Sequence, residues 1–374
     1  MSIVNDIKIH KWDLTLTSFC CTALQSYGIA DVRRGEGAMK ERKVFVSAKE
    51  VAEHAGVSRS AVSRTFTPGA SVSPDTRRRV TEAAEALGYH VNQLARGLMR
   101  NESGIVCLVV SDLSTPYRSS LIRALTERLQ AAGKVAMLID TDRTDGSVEA
   151  ALKQAIRYRA DASVILSGMP DKSITDTCLR NGQRLVLINR DDRQDGPLRI
   201  NLDDREAARR AVLAFLRAGC RDFAFANSAA MTPSLMAREE GFLSAAREHG
   251  IEVKVERYGP TSYQSGVVLA QRIMTGSKRP DAVFCVTDLV ACGFMDAARH
   301  KFGIDVPGEL CIIGFDDIEQ GSWSSYDLTT FAQPVIQIAD AAVSWLSREP
   351  DLGETTPSIL LHAELQWRGS VRAG

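Results

Sequence analysis

From Gly104 onward the chain alternates short, almost wholly apolar runs with amphipathic helical stretches, and this alternation restricts the fold more than any other feature. GIVCLVVSD (104–112), VAMLID (135–140), ASVILSG (162–168) and RLVLIN (184–189) read as strands, divided by helical segments such as SSLIRALTERLQAAG and SVEAALKQAIRYR. Strands apolar on both faces need cover on both faces, which parallel sheets flanked by helices provide. FAFAN, VKVERYG, AVFCVTD and LCIIGFDD repeat the scheme, with helices beginning near Asp204, Pro233, Ser262 and Asp288. Two series of similar size imply two lobes. In open parallel sheets ligands sit beyond the carboxyl ends of the strands, so two facing lobes make a cleft rimmed by strand-end residues. Those ends carry Asp112, Asp140, Asp142, Asn189, Arg190, Asp288, Asp316 and Asp317, a polar set suited to a hydroxylated or charged small molecule.

A different pattern precedes these lobes. SAKEVAEHAGVSRSAVSRTF, from Ser47 to Phe66, places Val51, Ala52, Ala55, Val57, Ala61, Val62 and Phe66 at helical spacing on either side of Gly56. It reads as a helix, a tight turn and a second helix that leaves Arg59, Ser60 and Arg64 outside. A helix-turn-helix inserts the N-terminal residues of its second helix into the major groove, where Ser58, Arg59 and Ser60 would lie. A third helix starts at Ser73, an N-cap, followed by Pro74 in the first turn and Asp75 against the helix dipole. It buries Val80, Ala83, Ala84 and Leu87 and ends at Gly88. Its Arg77, Arg78 and Arg79 fit either phosphate contact or a solvated helix face. HVNQLARGLMR (90–100) fits either a linker or a marginal helix that orders against a partner, through Leu94, Leu98 and Met99.

Charge separates the same two regions. The formal net charge is zero, yet between Lys40 and Arg100 eleven Lys/Arg face six Asp/Glu, a local excess of +5. That asymmetry confines the electrostatic footprint of a nucleic-acid partner to one end of the chain. The eight cysteines have no metal-ligand spacing, and Cys107, Cys285 and Cys311 lie in apolar runs, so buried free thiols in a reducing cytoplasm are expected. No apolar run approaches the ~18 residues of a membrane span. LTLTSFCCTAL (14–24) lacks the basic lead of an export signal and is bordered by Asp13. Residues 1–43 read as an N-terminal extension; residues 1–38 are expected to be disordered or, with an alternative start at Met39, not made.

Catalytic signatures are missing. The chain has neither GxSxG nor GxxxxGK[ST], no GxGxxG opens a helix after a strand, and no two of its six histidines have HExxH spacing. Asp316 and Asp317 look like a carboxylate pair, but neighbouring strand residues point to opposite faces, so ligand binding through one of them is the better reading. No catalytic residue, metal or cofactor is expected.

In order and spacing, VAEHAGVSRSAVSR, SPDTRRRV, ALGY, NQLARGL, DLSTPY, REEGF, TDLVACG, VPGELCIIGFDDI, LTTFAQP and ELQWRGS resemble the LacI/GalR family of bacterial transcription regulators, from Val44 to Val371. The resemblance implies a small all-α helix-turn-helix headpiece (44–90), a hinge helix and linker (91–103) and an α/β two-lobed core (104–371) of periplasmic-binding-protein type I-like architecture. Residues 104–200 with 335–362 would form one lobe, and 201–330 with 363–371 the other. It also implies a cytoplasmic homodimer on a pseudo-palindromic double-stranded operator, more often a repressor, with a sugar or sugar-derived effector in the cleft. Arg59, Ser60 and Arg64 match base-reading positions, beside Ser58. Ser47 and Tyr89 match DNA-backbone contacts, and Leu98, with Ala95 beside it, matches a leucine wedged into the minor groove. On the effector side Arg238 and Asp316 match the most regular contacts, with Tyr117, Asp140 and Thr287 as further candidates. The departures are Val91 where proline is usual, Gly97 within the hinge helix, and Thr287 where asparagine is frequent. Two rivals share the core: a solute-binding protein of transport, which would have an export signal and no headpiece, and an α/β enzyme acting on sugars, which would need a catalytic group.

Overall fold

Each helix of the N-terminal unit begins and ends at a residue that satisfies its free backbone groups. In α1 (Ala48–Ala55) Ser47 accepts from the Glu50 amide, and Glu50 accepts from the Ser47 amide, a reciprocal cap. Gly56 then takes φ 63°, a left-handed conformation that costs glycine little and turns the chain into α2 (Arg59–Thr65). Ser58 caps α2 and Ser73 caps α3 (Pro74–Leu87). Val51, Ala52, Ala55, Val62, Val80, Ala83 and Ala84 form the buried core where the three helices meet, with Val57, Phe66, Leu87 and Tyr89 packed around it. Ala61 stays half-exposed.

The computed structural model describes residues 45–67, 69–92, 97, 102–142, 144–190, 195–276, 278–348 and 357–373. They fall into two compact units, the first ending at Val91 and the second starting at Asn92.

The second unit contains two six-stranded sheets. The first half supplies β1 (Ile105–Val110), α4 (Pro116–Ala131), β2 (Val135–Asp140), α5 (Asp145–Arg157), β3 (Ala162–Ile165), α6 (Lys172–Arg180), β4 (Arg184–Ile188) and β5 (Leu198–Leu202). The second half supplies α7 (Asp204–Arg217), β6 (Phe223–Asn227), α8 (Pro233–Glu248), β7 (Val253–Arg257), α9 (Tyr263–Met274), β8 (Ala282–Cys285), α10 (Asp288–Phe302), β9 (Cys311–Asp316) and β10 (Thr329–Ala332). The chain returns to the first lobe with α11 (Val335–Leu346) and β11 (Ser358–Leu361), then ends in the second with β12 (Glu364–Gln366).

The sheet orders are β11-β5-β4-β3-β1-β2 and β12-β10-β9-β8-β6-β7, the same strand order twice. The strand pairings are parallel except β10 with β12. Crossings between lobes occur at 202–204, 332–335 and 361–364, so these short segments are where one lobe can turn against the other. Burial follows the alternation in sequence: β1, β3, β4, β6, β8 and β9 are apolar and almost wholly buried. In the second lobe α9 and α10 cross so closely at Gly266 and Gly293 that a Cβ at either would collide with the facing backbone.

Candidate functional site

The exposed side of α2 carries the residues expected to read DNA. Ser58, Arg59, Ser60 and Arg64 are all exposed, while Val62 and Thr65 turn inward. The Ser58 hydroxyl accepts from the Ala61 amide at 3.2 Å and lies 2.8 Å from the Ser60 hydroxyl, so the helix start is fixed before any partner arrives. Arg64 bends its Nε back on the Ser60 carbonyl at 3.4 Å, and its Nη1 and Nη2 make no bond among the described residues. Ser47 spends its hydroxyl on Glu50, and the Ser47 amide first, then that hydroxyl, holds the Glu50 carboxyl below its ordinary pKa. The Tyr89 ring packs against Phe66 with centroids 5.8 Å apart, tying the end of the headpiece to its core.

The arginines of α3 are tied within the headpiece. Arg77 Nη1 donates to the Thr65 carbonyl at 2.9 Å, closing the end of α2 against α3. Arg78 pairs with Asp75 and Glu82, and Arg79 with Asp75. Ala95 and Leu98, like residues 1–44, lie outside the described residues.

A cleft of about 450 Å³ opens between the two sheets at the carboxyl ends of their strands. The first lobe lines it with Ser111 and Asp112 after β1, Leu166 to Gly168 after β3, Ile188 to Arg190 after β4, and the first turn of α4. From the second lobe come Thr232 and Ser234 at the start of α8, then Arg238, Thr287, Asp316 and Gln333. Three helix N-termini, those of α4, α8 and α10, face this space, and their N-caps Thr115, Thr232 and Thr287 make no side-chain cap bond. Asp112 (φ 54°), Asn189 (φ 55°) and Asp316 (φ 125°) hold backbone conformations that L-residues rarely adopt. Such strain costs about 1–3 kcal/mol each and tends to gather where side chains must be aimed.

Arg238 is the best-anchored group on the wall. Its Nε donates to Asp204 Oδ1 at 2.7 Å, its Nη1 to the Val286 carbonyl at 2.9 Å, and its guanidinium lies 3.4 Å over the Phe315 ring. Its Nη2 makes no hydrogen bond with the described residues. Burial pushes the Asp204 carboxyl up, and the Arg238 charge pulls against it. Asp316 accepts from Gln333 Nε2 at 2.7 Å; burial raises it to about 6, opposed by Arg238. Asp317 lies just past the end of β9 with φ 56°, so strand alternation does not set its direction, and it pairs with Arg368 at 2.6 Å. Tyr117 accepts from Asn189 Nδ2 at 3.5 Å, and burial raises its phenol, helped by the Asp316 charge. The hydroxyl of Thr287, a residue only 8% exposed, has no hydrogen-bond partner. Asn189 Oδ1 and Gln333 Oε1 are likewise buried without partners.

Two sequence expectations change here. Asp140 does not line the cleft: it is the exposed end of β2, the edge strand beyond β1, so its carboxylate lies outside the region where the two sheets face one another. Asp288, also placed at a cleft-rimming strand end, does not line the cleft either. It is fully buried, accepts from Thr330 Oγ1 at 2.5 Å and from the Ile318 amide at 2.9 Å, and ties the segment after β9 to α10 and β10. Burial, then the Asp316 charge, raises its carboxyl to about 7. Conversely, Arg118 and Gln333 lie on the wall without having been singled out in the sequence. Arg118 directly follows Tyr117, but no motif separates it from an ordinary helix-surface arginine.

A headpiece exposing an arginine-bearing helix, on a chain whose larger unit encloses a polar cleft between two lobes of matching strand order, defines a DNA-binding regulator with a ligand-binding core. The profile of bacterial regulatory proteins, lacI family, matches residues 47–92, and that of the periplasmic binding protein-like domain matches residues 212–371. The chain is 30% identical over 297 residues to the HTH-type transcriptional regulator GalR of Escherichia coli K12, spanning 79% of this chain and 86% of that protein. It is 29% identical over 339 residues to the HTH-type transcriptional repressor CytR of the same strain, spanning 89% and 98%. Its fold is similar to that of the lac repressor dimer bound to operator and the anti-inducer ONPF, with a TM-score of 0.79, 22% identity, and coverage of 88% of this chain and 100% of that one. The chain belongs to the LacI/GalR family of bacterial transcription regulators, and it is a ligand-responsive DNA-binding regulator.

Proposed function

We propose that the protein is a repressor that binds a pseudo-palindromic operator as a homodimer in the cytoplasm and changes its DNA affinity when a small hydroxylated molecule closes the cleft. The observation that carries this reading is the cleft itself: Arg238, Asp316 and Thr287 on one lobe face Tyr117 and Asn189 on the other, across the three crossings about which the lobes can turn. Closure favours one lobe arrangement, and the ligand shifts DNA affinity only by its different affinities for the two arrangements. Ser58, Arg59, Ser60 and Arg64 would read each half-site, an arginine pairing bidentately with guanine O6 and N7. Ser47 and Tyr89 would contact the DNA backbone, and Leu98, beside Ala95, would enter the minor groove.

The headpiece speaks against a solute-binding protein of transport. The relatives are regulators, which favours binding over turnover, and the cleft is read as a binding site with no catalytic role. No helix of the described residues is long and apolar enough to cross a membrane. The test is to select operator sequences from random duplexes with the purified protein, then measure whether sugars and sugar derivatives that raise its melting temperature also change operator affinity. Selection of a two-fold-related motif supports the dimeric reading; a motif without that symmetry opposes it.

A further inference from the structure

Arg118 stands in an unfavourable place for a cation. It belongs to the first turn of α4, where the helix dipole favours negative charge. Its Nη1 donates to the Leu166 carbonyl, yet its Nε is buried without a hydrogen-bond partner and its guanidinium makes no ion pair with any described residue. Burial lowers its pKa, and the neighbouring Tyr117 and Asp316, which act in the opposite direction, do not offset that loss of water. Arg190 Nη2 donates to the same Leu166 carbonyl at 2.5 Å, so two guanidinium groups converge on one acceptor at the cleft wall. Arg238 differs, because Asp204 answers its charge. The carboxylates that line the wall are Asp112 and Asp316. Asp316 is occupied by Gln333 and makes no ion pair with Arg118.

We propose that the effector carries an anionic oxygen group, a carboxylate or a phosphate, that pairs with Arg118 at the α4 N-terminus while its hydroxyls reach Asp316 and Thr287 on the opposite lobe. This rests on reading the cleft as the effector site. An anion there reverses both unfavourable terms at Arg118: it supplies the missing charge partner and it meets the positive end of α4. The unpartnered Thr287 hydroxyl and Gln333 Oε1 serve the hydroxylated end of the same molecule. A cleft of about 450 Å³ suits a monosaccharide-sized ligand. The ligand class is therefore a sugar acid or sugar phosphate, and a neutral sugar leaves Arg118 unpaired.

The test uses the full-length protein in calorimetric titration and thermal shift at matched ionic strength. The probes are D-glucose and D-galactose, their hexuronates and aldonates, and their 6-phosphates. Binding confined to anionic members is expected, with the carboxylate and phosphate arms separating the two sources. Arg118→Met should weaken the best anionic probe at least thirtyfold, whereas Arg118→Lys, which keeps the charge, should lose less than about fivefold; unliganded melting curves check that both variants fold. Equal binding of neutral hexoses, an anionic probe indifferent to Arg118→Met, or no binding by any probe would overturn the anion assignment. Neutral binding abolished by Asp316→Asn would leave the cleft reading intact. A probe that binds regardless of Arg118→Met, Asp316→Asn and Arg238→Met would remove the cleft reading itself.

Discussion

Replacing Asp204 by alanine removes the carboxylate that anchors Arg238 and leaves a guanidinium, 3% exposed, without its counter-charge. Breaking one partner of a buried pair costs about 3–5 kcal/mol, because the remaining charge stays desolvated. The Val286 carbonyl and the Phe315 face still hold Arg238, which argues for the lower end of that range. At roughly 2 °C per kcal/mol for a unit of this size, the core transition should fall by about 6 °C. Differential scanning calorimetry of the full chain reads it directly. Arg238→Met in the same protein removes the stranded charge, so the double variant should melt above the Asp204→Ala single variant, a coupling that independent sites would not show. A single variant melting within 1 °C of the parent, or a double variant whose loss is the sum of the two single losses, would refute the claim that Asp204 and Arg238 act as one unit. Because Arg238 also faces the cleft, both variants should lose effector binding.

Arg64→Ala should reduce specific operator binding much more than binding to random duplex; equal losses in paired titrations would mean that it contacts phosphate alone. Ser58→Ala removes the cap of α2, costs about 1 kcal/mol of local stability, and should speed amide exchange in that helix without altering exchange in the core. Leu98→Ala should lessen operator bending while leaving effector affinity unchanged, and an unaltered bend in solution scattering would count against a wedge role. Asp288 has a raised folded-state pKa, near 7, against an unfolded value near 3.8, so the folded protein holds this proton more tightly. Its contribution is fully present below the unfolded value and is lost as pH rises through about 7. Asp288→Asn should therefore flatten the decline in core stability between about pH 4 and pH 7, as measured by denaturant titration at each pH.

Much of this architecture is legible in the sequence because buried parallel strands leave long apolar signatures. β1, β3, β4, β6, β8 and β9 could all be read that way, and Ser73-Pro74 with Gly88 marked both ends of α3. β5, LRINL, was not legible: Arg199 and Asn201 alternate with its apolar residues, and it is too short for periodicity to stand out. β10, β11 and β12 have three or four residues each, set by tertiary pairing between segments distant in sequence. Asp140 shows the limit at the site. It ends an apolar run as Asp112 and Asp316 do, and only the strand order, which puts β2 at the edge, separates it from the cleft. The Arg238–Asp204 and Gln333–Asp316 contacts join residues 34 and 17 apart in the chain, and no local spacing announces either.

The central claim is that the cleft governs DNA binding. Fluorescence anisotropy on the selected operator, with and without a saturating concentration of a sugar acid or sugar phosphate that stabilises the protein, tests it in one measurement. The account predicts at least a tenfold change in operator Kd, abolished by Asp316→Asn. Equal Kd values with and without the ligand would contradict it.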